Sequence, residues 1–93
     1  MPVRVRLPAI LRDLPGSRAT VELEGSFDTV TEAFDALWRQ VPGVRDRVLT
    51  ETGEVREHVQ VFVGFESIRF TGGLATAVPE DAEIHIVPAV SGG

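Results

Sequence analysis

Val3-Arg4-Val5-Arg6-Leu7 alternates strictly between apolar and charged positions. A period of two puts successive side chains on opposite faces of a strand, so residues 3–7 read as a half-buried strand with Val3, Val5 and Leu7 inward. Pro8 ends it, and Leu14-Pro15-Gly16-Ser17 carries turn chemistry. A second strand over 19–24 turns Val21 and Leu23 inward, completing an amino-terminal hairpin with a long loop. From residue 29 the period becomes helical. Val30, Ala33, Phe34, Leu37, Trp38 and Val41 recur at intervals of three and four and form one apolar stripe. Thr29 and Glu32 read as a T-x-x-E capping box at its start, and Pro42-Gly43 as its stop. Residues 44–50 suggest a short helical turn, and 51–57 a polar loop around Gly53. Alternation returns over 58–63, with Val59, Val61 and Val63 on one face. Gly64 marks a turn, 68–70 reads as a short edge strand, and Gly72-Gly73 as a backbone bend with unusual dihedrals. Residues 83–87 form a last strand with Ile84 and Ile86 inward, closed by Pro88.

This order, one helix among several strands, predicts an α+β domain in which a mixed sheet of four to five strands packs on one main helix. The β-grasp arrangement fits it, with the first and last strands side by side at the sheet centre. Residues 1–88 are expected to be the domain and 89–93 a carboxy-terminal tail.

The faces follow from the same alternation. If the valines of 58–63 point inward, His58, Gln60 and Phe62 point out. If Ile84 and Ile86 point inward, His85 and Val87 point out. Phe62 and Val87 then form an apolar centre on one sheet face with Arg4 and Arg6 beside it, the composition of a partner-binding patch. The alternatives are a loop over Phe62 or a register shifted by one residue.

Composition narrows the functional classes. Ninety-three residues with 43% hydrophobic and 25% charged content describe one soluble globule. Fourteen acids against nine bases give a net charge of −5, which disfavours nucleic acid. No apolar run is long enough to span a bilayer and no secretory signal opens the chain, so no membrane role and a cytoplasmic location are expected. There is no cysteine, hence no thiolate nucleophile and no cysteine zinc site. All nine basic residues are arginine, so the chain has no lysine with which to link copies of itself. His58 and His85 without a third placed ligand make a poor metal site; no metal is expected, and both read as solvated. Glu80-Asp81-Ala82-Glu83 reads as a solvated acidic turn, and Trp38 as core or core edge. No nucleophile–base pair or phosphate loop is visible, so the chain is not expected to be an enzyme.

Gly92-Gly93 close the sequence. Arg69-Phe70-Thr71-Gly72-Gly73-Leu74-Ala75-Thr76 and the final Ile84-His85-Ile86-Val87-Pro88-Ala89-Val90-Ser91-Gly92-Gly93 resemble the ThiS/MoaD family of ubiquitin-like sulfur carriers. The likeness covers essentially the whole chain. The opening Val-Arg-Leu-Pro-Ala-Ile-Leu-Arg and Arg-Phe-x-Gly-Gly-Leu-Ala-Thr most resemble the branch that serves cysteine biosynthesis. One departure is visible: many relatives carry an Asp-Gly-Asp turn before the last strand, where this chain has Pro79-Glu80-Asp81-Ala82.

The resemblance implies a carrier whose terminal glycine, Gly93, is adenylated by an E1-like activating enzyme and then converted to a thiocarboxylate. ATP is consumed by that partner, and the carrier itself binds no cofactor. A pyridoxal-phosphate cysteine synthase then takes the sulfur, and a metal-dependent peptidase frees the product. Two further destinations stay open, the large subunit of molybdopterin synthase and thiamin thiazole synthesis. So do a ubiquitin-like modifier and a plain interaction domain with incidental glycines. The chemistry agrees with activation by a partner. An α-carboxyl group with a pKa of about 3.3–3.7 is ionised at neutral pH and is a poor electrophile until it gains a leaving group. Without lysine the chain has no G-x-x-x-x-G-K-[ST] loop to supply one. Gly93 is the expected covalent site and Gly92 its clearance, since glycine passes a narrow channel. Ser91 and Val90 are expected to line the entry. Ordering the five residues 89–93 costs about 5–10 kcal/mol of backbone entropy, so the body must contribute docking energy.

Overall fold

The computed structural model describes residues 2–12 and 18–88. β1 (Val3–Arg6) buries Val3 and Val5 and exposes Arg4 and Arg6. It pairs antiparallel with β2 (Thr20–Leu23), Val5 opposite Val21 and Val3 opposite Leu23, so the four apolar side chains share one face. The turn expected at 14–17 lies outside the described residues.

α1 (Val30–Gln40) begins where the spacing places it. Thr29 is its N-cap, its Oγ1 accepting from the Glu32 backbone N–H at 3.3 Å. The stripe buries Val30, Ala33, Phe34 and Leu37, and Trp38 stays half-buried with its ring 4.9 Å from that of Phe34. Pro42-Gly43 end α1, but they also open α2 (Pro42–Val48), which starts and ends two residues before the short helical turn expected over 44–50. Proline suits a first helical turn because its missing N–H would find no intrahelical acceptor there. Val44 and Val48, one turn apart, complete the buried face.

β3 (Val59–Val63) turns back through Gly64-Phe65 into β4 (Glu66–Ser67). Gly64 sits at φ 63°, in the left-handed region a two-residue hairpin turn requires. This tight reversal corrects the sequence reading. The hairpin closes directly onto Glu66 and Ser67, and 68–70 is not a strand: Ile68–Phe70 is a 3-10 turn capped by Ser67 Oγ, which accepts from the Arg69 backbone N–H at 3.3 Å. Ile68 is drawn into the core, while Phe70 is 84% exposed.

The bend expected at Gly72-Gly73 is present, at φ 115° and 63°. The segment after it is tied to the start of α1. The Val30 N–H donates to Thr76 O at 3.0 Å, the Val78 N–H to Asp28 O at 3.1 Å, and Thr31 Oγ1 to Leu74 O at 3.0 Å. A turn then leads into β5 (Glu83–Pro88), with the Ala82 N–H donating to Pro79 O at 3.2 Å. Asp81 holds this turn at φ 64°, the one described non-glycine residue in the left-handed region.

The strands form one sheet in the order β2-β1-β5-β3-β4. β5 lies at its centre, parallel to β1 and antiparallel to β3, so the first and last strands are neighbours. The inner face of the sheet packs on the helices: Val5, Leu23, Val30, Leu37, Val44 and Ile84 have no exposed surface. No helix among the described residues is long and apolar enough to cross a membrane.

Candidate functional site

The outer face of the sheet carries the features that bear on function. Register aligns Arg6 of β1, His85 of β5 and Phe62 of β3 in one row across three strands. Adjacent strands stand about 4.8 Å apart, so these side chains are direct neighbours. Val87 lies two residues further along β5 on the same face. Val59, Val61 and Val63 pack toward the core instead. The register is therefore the one the alternation predicts, and an open groove rather than a loop lies over Phe62.

That groove, about 290 Å³, is lined by Phe62, Gly64, Phe65, His85 and Val87. Phe62 and Val87 are half-buried. Phe65 projects fully into solvent at 104% exposure, because the turn at Gly64 leaves it no inward side to face. Glu83 Oε1 lies 2.8 Å from His85 Nε2 and 3.7 Å from Arg6 Nη1. Exposed pairs of this kind contribute about 0–1 kcal/mol, so their effect here is to orient the His85 ring beside Phe62. The two arginines of the expected patch differ in position. Arg6 adjoins the groove in the His85 row. Arg4 stands opposite Glu83, four residues before Val87 on β5 and roughly 13 Å back along the strand. Neither lines the groove itself.

β5 ends at Pro88, opposite Val59. Proline supplies no N–H to the ladder at this position. Val90, Ser91, Gly92 and Gly93, the expected tail-threading and covalent residues, lie outside the described residues. The two histidines face different surfaces: His58 lines a cleft beside Pro88, and His85 lines the Phe62 groove.

Sequence reasoning missed Phe65 and Ile10 as surface features. An aromatic inside a two-residue turn has no periodicity to mark it. For Ile10 the signal was the adjacent pair Ile10-Leu11 after Pro8: in a tight 3-10 turn only one of them can point inward, and that one is Leu11.

Comparison with known proteins matches the chain to a family. The model of the ThiS family fits residues 5–93. The chain is 35% identical over 95 residues to the sulfur carrier protein CysO of Mycobacterium tuberculosis, spanning all of both chains. It is 36% identical over 89 residues to small archaeal modifier protein 1 of Haloferax volcanii, covering 95% of this chain and 97% of that one. Among solved structures, the Amycolatopsis orientalis BexX/CysO complex matches with a TM-score of 0.84 at 35% identity, over 98% of this chain and 99% of that one.

Proposed function

The chain belongs to the ThiS family, and we propose on that footing that it is a sulfur carrier acting through Gly93, most directly for cysteine biosynthesis. One observation carries the reading: the match to a sulfur carrier runs the full length of both chains, and the family match extends through Gly93. The ubiquitin-like β-grasp body suits the task, because the central strand β5 delivers the tail at Pro88 beside an apolar groove.

A Gly93 carboxylate oxygen attacks the α-phosphate of ATP and pyrophosphate leaves. Hydrosulfide then attacks the carbonyl carbon and AMP departs with that oxygen, leaving a thiocarboxylate and releasing a proton. Positioning and charge stabilisation dominate the first step, and an E1-like adenylating enzyme supplies both. This chain's residues bind and orient. Gly92 gives clearance, Ser91 and Val90 occupy the channel, and Phe62, Val87, His85 and Phe65 dock the body with Arg6 and Arg4 at the rim. The carrier is a co-substrate rather than a catalyst. A pyridoxal-phosphate cysteine synthase is the proposed consumer, a metal-dependent peptidase the releasing enzyme, and the cytoplasm the compartment.

A second reading is favoured by the 36% identity to a small archaeal modifier protein: attachment of Gly93 to lysines of other proteins. One experiment addresses both. The protein is incubated with its host's activating enzyme, ATP and sulfide, and its intact mass is recorded. A gain of about 16 Da marks exchange of oxygen for sulfur, and its loss on deleting Gly92 and Gly93 places it. No gain with wild-type protein, alongside conjugates that survive reducing agents in cell extracts, would select the modifier reading.

A further inference from the structure

A second surface adjoins Pro88, the last residue of β5. The 3-10 turn Ala9–Leu11 buries Leu11 and leaves Ile10 69% exposed. Ile10, Val59 and Pro88 line a cleft of about 210 Å³, together with Arg47 from α2 and His58. None of its described lining residues is acidic. Arg47 is exposed and makes no ion pair among the described residues.

Three features define what fills this cleft. Pro88 is part of its wall, so a protein that takes up residues 89–93 must sit against it. Val87 borders both this cleft, on the side of the inward-facing Val59 and Ile86, and the Phe62 groove on the outer face, so a partner that encloses the end of β5 meets both. The only fixed formal charge among its described lining residues, that of Arg47, is positive. We propose that the cleft is a collar for the enzyme that receives the tail: it takes one apolar side chain of that enzyme between Ile10 and Pro88, and a carboxylate of the same enzyme beside Arg47. The inference rests on the carrier reading and extends it to the placement of the reacting atom.

The physical need is one of reach. Five residues extend at most about 16–18 Å, so Gly93 reacts within that distance of Pro88. A slip of one residue moves it by about 3.4 Å, far outside the spacing of a near-attack geometry. Seating Pro88 against the channel mouth fixes where the terminal carbon arrives. Ile10 and Arg47 are thus positioning residues.

The test measures pyrophosphate release by the activating enzyme as carrier concentration varies, using full-length Ile10→Glu, Ile10→Ser, Arg47→Glu and Arg47→Lys. Melting temperatures check each fold, which substitutions at exposed positions leave intact. Ile10→Glu is expected to raise KM about tenfold or more, as truncation of an anchor residue does. Arg47→Glu is expected to raise it several-fold, with Arg47→Lys restoring it. The Arg47 effect should fade at 1 M salt, where the Debye length falls to about 3 Å. Wild type gaining sulfur while both Glu variants keep KM within twofold would overturn the collar and leave the carrier reading standing. A lower KM in Ile10→Glu would mean that the cleft holds the chain's own tail, and a wild-type dimer lost in Ile10→Glu would mean a second copy fills it; either result overturns the proposal. A wild-type chain that gains no sulfur overturns the carrier reading, and the collar with it.

Discussion

Val61 and Phe62 are adjacent in β3 and face opposite ways, so truncating each to alanine should produce opposite phenotypes. Val61 is 2% exposed and packs in the core. Val61→Ala removes two methyl groups worth about 0.8 kcal/mol each on transfer. The cavity left behind brings the cost to roughly 2–3 kcal/mol. A domain of this length holds about 5–14 kcal/mol in total. At about 4–8 °C per kcal/mol, the melting temperature should fall by roughly 10–20 °C. Phe62 is absent from the core and faces His85 across the strand pair. Its truncation forfeits a cross-strand contact of about 0.2–1 kcal/mol, so the fold should melt within roughly 8 °C of wild type. Docking should suffer instead. Loss of an aromatic anchor costs about 2 kcal/mol or more, near thirtyfold in apparent affinity for the activating enzyme. Thermal melts followed by circular dichroism and carrier-dependent activation kinetics read the two effects separately. If Phe62→Ala melts below Val61→Ala, or leaves KM within threefold of wild type, the assignment of faces is wrong.

The Asp81 turn and the α1 cap give two further expectations. Asp81 stands at φ 64° and is exposed, so only its backbone is under constraint. Asp81→Val should cost about 1–2 kcal/mol, whereas Asp81→Gly should match or exceed wild type, because glycine adopts this conformation without a Cβ clash. Denaturant midpoints measure the order, and a Val variant as stable as Gly would refute the strain. Thr29→Ala removes the acceptor of the Glu32 N–H and should lower stability by about 1 kcal/mol. An unchanged melt would show that this cap contributes nothing.

Legibility in the sequence followed periodicity. Strands β1, β3 and β5 and helix α1 each carry a clear repeat of two or of three to four, and their buried faces are those the repeats name. Phe62 and Val87 were readable as one surface for the same reason. The expected edge strand at 68–70 was not, because Ile-Arg-Phe fits a strand or a 3-10 turn equally, and the choice is made by the tight reversal at Gly64-Phe65. Pro42-Gly43 fits a helix stop and a helix start, and here it is both. The site was least legible where backbone geometry rather than pattern turns a side chain outward, as at Ile10 and Phe65. The unequal distances of Arg4 and Arg6 from the groove depend on the parallel register of β1 against β5, a pairing between chain ends that no local pattern reveals.

The central place of β5 has a mechanical consequence. Tension on the residues beyond Pro88 runs along the axis of a strand clamped on both edges, by β1 and by β3. Such a load cannot peel one bond after another; it must shear both ladders together, which gives forced unfolding a high kinetic barrier. A body built this way stays intact while its end is gripped, threaded or tethered, for as long as β1 of the amino-terminal hairpin keeps its place beside β5.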